Sequence, residues 1–250
     1  MREFEDGRRF LAFTISSGWG HFRQVGSSQA HYTYSVPPRT TVAGMIAAIC
    51  GAEPDTYYDV LSSDNADICV VRNNPITKQM MGITTVKSQK SMIERVNSRS
   101  HTTPTLNIPD PVNNRQRHTF ELLHEPSYTV YVAIDDNEMS DTLRDNLSTG
   151  RPHYTPSMGL SEFVSRIEYH GEFDANVTET TNLDSVNPYD ESVDMFKSGS
   201  ITIERFPKDM EQTDFGRKTT EFDQYVIGDD VTLGEKIPAY LINGDVVAPM

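Results

Sequence analysis

Residues 8–16 read RRFLAFTIS. Phe10, Ala12 and Thr14 alternate with Leu11, Phe13 and Ile15, and both sets are largely apolar. An alternating strand with one wet face would not look like this. The pattern predicts a central strand covered on both sides. Ser17-Gly18-Trp19-Gly20 breaks it, and residues 21–36 are polar and aromatic without period, so they read as a long loop. Pro37-Pro38-Arg39-Thr40-Thr41 then opens a helix. Thr40 or Thr41 is expected to cap it, Val42, Met45, Ile46 and Ile49 form its apolar stripe, and Gly51 is its expected stop.

Further along, residues 66–72 (ADICVVR) read as a short buried strand. Residues 73–116 are basic and rich in Thr, Asn and Pro with weak alternation, which suggests an extended hairpin or insertion. Residues 118–123 and 127–134 (SYTVYVAI) read as strands around Glu125-Pro126. Asp135-Asp136 caps a helix expected over 138–147, with Gly150 and Pro152 ending it. The order strand, helix, strand, insertion, strand, helix resembles a ferredoxin-like or RRM-like half sandwich, so the expected class is α+β. After Gly159 a strand is expected over 163–169, an acidic loop over 174–192, and strands over 200–206, 219–227 and 237–242. The expected organisation is residues 1–165 as one domain, with 73–117 as its inserted β-hairpin, followed by a β-rich acidic region, 166–250.

The 250 residues carry a net charge of −14, which alone argues against nucleic acid as a partner. The distribution argues otherwise. Residues 1–134 hold 13 Lys+Arg against 12 Asp+Glu, and residues 135–250 hold 9 against 24. Residues 72–118 hold Arg72, Lys78, Lys87, Lys90, Arg95, Arg99, Arg115 and Arg117 against Glu94 and Asp110 alone. Clustered cations in an acidic chain point to a local polyanion contact. Lysine is scarce, 7 against 15 arginines, and the composition resembles a salt-adapted surface. Near ~1 M salt the Debye length falls to about 3 Å, so close hydrogen bonds and stacking would have to carry any affinity.

Several classes are excluded by pattern. The chain lacks a P-loop, a G-x-G-x-x-G after a strand, a G-x-S-x-G and an H-E-x-x-H. Cys50 and Cys69 form neither a disulfide scaffold nor a zinc ribbon and suggest a reducing cytoplasm. No apolar run reaches membrane-span length, and the opening residues do not read as a signal peptide, so no membrane partner is expected. His118 and His124 could share a strand face, but nothing beside them suggests a metal, and no metal or cofactor is expected. Two features fit unpaired nucleic acid. The helix opening at Arg39 offers free N–H groups, a guanidinium and the Thr40 and Thr41 hydroxyls for phosphate. Trp19 with Gly20, near Tyr32 and Tyr34, offers a stacking surface for bases.

These segments carry a resemblance. SGWG (17–20), VPPRTTVAGMIAAICG (36–51), HTFELLHEPSYTVYVAI (118–134) and HYTPSMGLSEF (153–163) are similar, in order and spacing, to the Cas-five family of CRISPR-associated proteins, in the RNA-binding RAMP superfamily. The match covers about residues 8–165. It implies a modified RRM-like domain with a β-hairpin thumb, where the basic insertion falls. It implies a non-catalytic subunit of Cascade, the type I surveillance complex. Such a subunit binds the 5′ handle of the CRISPR RNA, caps the backbone filament and abuts the large subunit. The expected RNA contacts are Trp19, Gly20, Tyr32, Tyr34, Arg39, Thr40, Thr41, Lys78, Lys87, Lys90, Arg95, Arg99, Arg115 and Arg117. The acidic, lysine-poor composition suggests a haloarchaeal member of a type I-B system. One branch of the family, in type I-C systems, is a metal-independent endoribonuclease using Tyr, Lys and His. Its Lys-His pair lies where the second helix opens. Here that stretch is Ile134-Asp135-Asp136-Asn137-Glu138, without Lys or His. That absence argues against catalysis, and the alternative function, an endoribonuclease, would have to be built on Tyr34, His118 and His101.

Overall fold

The computed structural model of the chain describes residues 3–24, 30–86, 115–188, 193–194, 198–214, 216–228 and 231–250. The fold is mostly β, with several sheets and two helices among the described residues. At its centre β1 (Arg9–Ser16), β4 (Ala66–Arg72), β7 (Ser127–Ile134) and β8 (Arg166–Asp174) form one sheet in the order β4-β7-β1-β8. All three pairings are antiparallel. Helix α1 (Arg39–Cys50) connects β1 to β4, and helix α2 (Asn137–Thr149) connects β7 to β8. Each connection passes over one intervening strand, so two βαβ units interleave.

The double alternation in β1 is explained by what covers each face. Leu11, Phe13 and Ile15 join Val42, Ile46 and Ile49 of α1 and Leu143 and Leu147 of α2 in one core. Phe10 and Ala12 face the other way, against Tyr131, Tyr240, Ile242 and Val247. Burying one such Phe stabilises by roughly 1.5–3 kcal/mol, so neither face could be left to water. The second cover is a three-stranded sheet of β9 (Asn176–Asn182), β13 (Thr232–Ile242) and β14 (Asp245–Val247), in the order β14-β13-β9.

The helix ends follow their sequence signals with one correction. Gly51 adopts φ 77° and donates its N–H to Ala48 O at 3.2 Å, while Ala52 N–H reaches Ala47 O at 3.0 Å. Asp136 caps α2, its Oδ1 accepting from Met139 N–H at 2.8 Å. At the start of α1, however, neither threonine is the cap. Pro38 holds that position in extended conformation, and its carbonyl accepts from Thr41 and Val42 N–H. Pro37-Pro38 forces the break one residue earlier, so Thr40 and Thr41 lie inside the first turn.

Three boundaries differ from the sequence reading. Residues 118–123 do not stand alone: β6 (Arg115–His124) pairs antiparallel with β5 (Lys78–Val86), in register from Lys78 opposite Leu123 to Val86 opposite Arg115. β5, inside the basic insertion, and β6, which begins inside it and runs past it, thus pair as one ladder, which a cut at 117 would split. The acidic stretch 174–192 contains β9, because Val177, Thr178, Thr180 and Thr181 supply β-branched residues among the Glu and Asn. Residues 166–250 are not separate from the first part. β8 belongs to the central sheet, and Val186, Phe206, Tyr225, Ile227 and Met250 lie in the α1–α2 core. Phe206 and Tyr225 come from the long hairpin of β11 (Ile201–Thr213) and β12 (Gly216–Gly228), their rings stacked at 4.2 Å. No helix among the described residues is long and apolar enough to cross a membrane.

Candidate nucleic-acid interface

A third sheet lies beside the central one. β6 is flanked by β2 (Trp19–Gly20), antiparallel, and by β3 (Ala30–His31), parallel. Alternation along β6 puts His118, Phe120, Leu122 and His124 on one face. The pairing adds Trp19 opposite His124 and His31 opposite Phe120 to that face. The result is a row of rings in two groups, Trp19 with His124 at one end and His21, His31, His118 and Phe120 at the other. Trp19 meets His124 edge-on with centroids 4.9 Å apart, His31 lies 4.4 Å from Phe120 and 5.4 Å from His118, and His21 lies 5.2 Å from Phe120. Trp19, His31, His118 and Phe120 are half-buried and His124 is exposed. Tyr32, next to His31, is 43 % exposed. Flat rings held at fixed spacing on a rigid sheet suit the stacking of unpaired bases.

His21 anchors the row from inside. It is 1 % exposed, and its Nδ1 lies 2.8 Å from the Glu121 carbonyl. A carbonyl only accepts, so Nδ1 carries the proton and the neutral ring presents Nε2 as a bare acceptor. That Nε2 is buried with no partner among the described residues, and so is Nδ1 of His31. Burial pushes the His21 imidazole below its ordinary value, and the charges of His31 and Arg23 push the same way. Burial, then Arg23 and His118, lower His31 as well. Both rings are therefore neutral near pH 7.

The other face of the hairpin is basic only at its far end. Arg115 and Arg117 are exposed, and the Arg117 guanidinium lies over Gly82, where a Cβ would come within 2.8 Å of it. Lys78 is turned inward. Its Nζ donates to Thr33 O at 3.0 Å and to Glu204 Oε1 at 3.4 Å, with Glu121 Oε2 at 3.8 Å. It serves to tie the hairpin to β11.

Several residues expected at the site lie elsewhere. Arg39 is 1 % exposed. Its guanidinium donates to Leu61 O, Ala66 O and Asp209 Oδ1, at 2.8, 2.8 and 2.9 Å. The contact with phosphate expected of it is ruled out by these bonds. Tyr34 is 6 % exposed with its ring edge-on to Phe206 at 5.5 Å, so it neither stacks on a base nor reaches a substrate hydroxyl, and the endoribonuclease set loses its tyrosine. Gly20 is a packing glycine: a Cβ there would sit 3.0 Å from Pro126 Cγ. Thr40 and Thr41 are half-buried on α1. Lys87, Lys90, Arg95, Arg99 and His101 lie outside the described residues. Sequence reasoning missed His21, His31 and Phe120. The signal for Phe120 was present in the every-second spacing of His118, Phe120 and His124. His21 and His31 join only through pairing with β6 and had no local signal. Among the described residues no three His, Cys, Asp or Glu side chains are grouped to hold a metal ion.

No family model matches the chain, and no curated protein matches it. Among solved structures with a similar course of the chain are three whose descriptions name CRISPR proteins or complexes. One is a chain of a CRISPR RNA-guided surveillance complex, at 14 % identity and TM-score 0.49, over 89 % of this chain and 91 % of that one. Another is a CRISPR protein from Archaeoglobus fulgidus, at 14 % identity and TM-score 0.45, over 96 % and 98 %. A third belongs to a type III-B Cmr-beta complex bound to cognate target RNA and AMPPnP, at 13 % identity and TM-score 0.45, over 89 % and 86 %.

Proposed function

We propose that this chain is a non-catalytic, cytoplasmic RNA-binding subunit of a type I CRISPR Cascade complex, of the I-B kind, which holds the 5′ handle of the CRISPR RNA and caps the backbone filament beside the large subunit. The motif order of residues 8–165 supports the family. The interleaved βαβ order supports reading the central sheet with α1 and α2 as RRM-like, and the β5–β6 hairpin as the thumb. The observation that carries RNA binding is the row Trp19, His124, Phe120, His31 and His118 on one face of the lateral sheet. An RRM stacks bases on its open four-stranded face. Here that face is covered by Tyr240, Ile242 and Val247, so the bases have to stack on the lateral sheet instead.

The test mixes the full chain with labelled repeat RNA in concentrated potassium chloride without divalent metal. Expected is a shift specific to the 5′-handle sequence, with the RNA intact, weakened in Phe120→Ala. Equal affinity for handle and scrambled RNA would overturn handle recognition. Site-specific cleavage abolished in His118→Ala would replace the reading with the endoribonuclease.

A further inference from the structure

We infer that His31 and His118, with Arg23 beside them, seat one backbone phosphate of the bound RNA, and that RNA binding takes up a proton at this imidazole pair. The inference rests on the RNA-binding reading above and assigns it a phosphate site and a pH dependence.

The geometry comes first. The rings of His31 and His118 lie 5.4 Å apart on neighbouring strands, tilted by 49°. Neither ring is fully buried, and Arg23 is exposed on the segment that bridges to Thr33 beside β3. The Phe120 ring lies 4.4 Å from the His31 ring and 6.4 Å from that of His118, between centroids. Nδ1 of His31 is shielded and without a partner among the described residues. A polar atom left this way is a standing cost that a ligand or a proton can remove.

The charges around the pair set the sign. From β3 and the segment before it come His31, Arg23 and the buried His21. From β6 come His118 and Glu121, whose carboxylate serves Thr33 N–H at 3.1 Å and whose carbonyl serves His21. From β5 come Met81 and Ile83, opposite Phe120 and His118, which carry no charge. The pair thus sits among an arginine and a third imidazole, and the nearby carboxylate is already bonded to backbone. A proton on His31 is opposed by its neighbours, in line with its lowered value. A phosphate oxygen brought against the pair reverses this. Its charge favours the imidazolium and offers a charge-assisted acceptor. The rings are close enough to disfavour two charges, so no more than one proton is taken up, and it belongs to the pair. The affinity of the imidazolium form for phosphate makes binding tighten as pH falls through the bound-state value of the pair. A shift of one unit corresponds to about tenfold in affinity.

Calorimetry of handle RNA binding to the full chain, at one pH near 7 in two buffers of different ionisation enthalpy, counts the protons. Expected is uptake of about half a proton, the most that a one-unit shift gives at its midpoint, and affinity rising about tenfold between about pH 8 and about pH 6. His31→Gln and His118→Gln are each expected to abolish most of the uptake and flatten the profile. His170→Gln, on exposed β8, is expected to keep both. RNA binding without proton uptake overturns this inference and leaves the RNA-binding reading intact. Uptake that persists in both variants moves the site elsewhere and overturns it too. Absence of binding to handle RNA at every pH overturns both readings together.

Discussion

Arg39 occupies the position in α1 where a sequence would offer a guanidinium to solvent, yet it spends every described bond on its own chain. The reason is distance along the sequence. Its acceptors are carbonyls 22 and 27 residues away and a carboxylate 170 residues away. No local pattern encodes such partners. Asp209 is itself held by Ser63, through backbone and hydroxyl. Removing one partner of a buried pair strands the other, and the cost is typically about 3–5 kcal/mol. Arg39→Ala is therefore expected to lower unfolding stability by that amount in urea titration, while the folded fraction keeps wild-type RNA affinity. Weaker binding at unchanged stability would return Arg39 to the RNA site. Cysteine chemistry is fixed at the same scale. Burial pushes the Cys50 thiol up to about 12 and raises that of Cys69 well above its ordinary value. The thiolate is the reactive form, so neither thiol should be alkylated by iodoacetamide at about pH 8 until the chain unfolds. Mass spectrometry of the native protein would read this directly.

Elements were legible where a local pattern and a tertiary need coincide. β4 and β7 match their expected spans of 66–72 and 127–134, because a strand buried on both faces must be apolar throughout. α1 was legible from its Pro and Gly ends. β9 was not, because its Thr and Glu residues read as loop until β13 lies beside them. The division of β6 failed for a different reason. Its outer half is basic and its inner half apolar, so composition suggests two objects where hydrogen bonding makes one. What joins that hairpin to the rest of the molecule is also invisible in the sequence. Glu204 of β11 accepts from Ser35 N–H at 2.8 Å and from Ser35 Oγ at 2.6 Å, and it faces Lys78 at 3.4 Å. Glu204→Ala leaves a buried N–H unpaired and removes one of the partners of Lys78. The expected loss is about 1–3 kcal/mol of stability, read by thermal or urea unfolding. Hydrogen exchange should rise first at Ser35 and along β5. Exchange unchanged there would mean the hairpin is held by its backbone pairing alone.

At the scale of the whole molecule, a net charge of −14 and an RNA-facing ring row pull in opposite directions, and salt separates them. Arg23, Arg115 and Arg117 are exposed, the two of β6 on the face opposite the row, and the sequence between β5 and β6 carries Lys87, Lys90, Arg95 and Arg99. For single strands each neutralised phosphate contributes a slope of about −0.7 in log affinity against log salt. Replacing Lys87, Lys90, Arg95 and Arg99 together by Gln should make the slope shallower by about 0.7 for each phosphate these side chains neutralise. At about 1 M potassium chloride, where the Debye length is about 3 Å, the same variant should bind almost as tightly as the wild type. Stacking is not screened in this way. Phe120→Ala should therefore cost about 1–3 kcal/mol of RNA affinity at low and at high salt alike. Fluorescence polarisation of the handle RNA across a salt series reads both variants against the wild type. A Gln variant crippled at high salt would mean that the basic segment grips the RNA through close, desolvated bonds rather than steering it from a distance. An effect of Phe120→Ala that vanishes at high salt would mean that the ring supports the fold of the lateral sheet and touches no base.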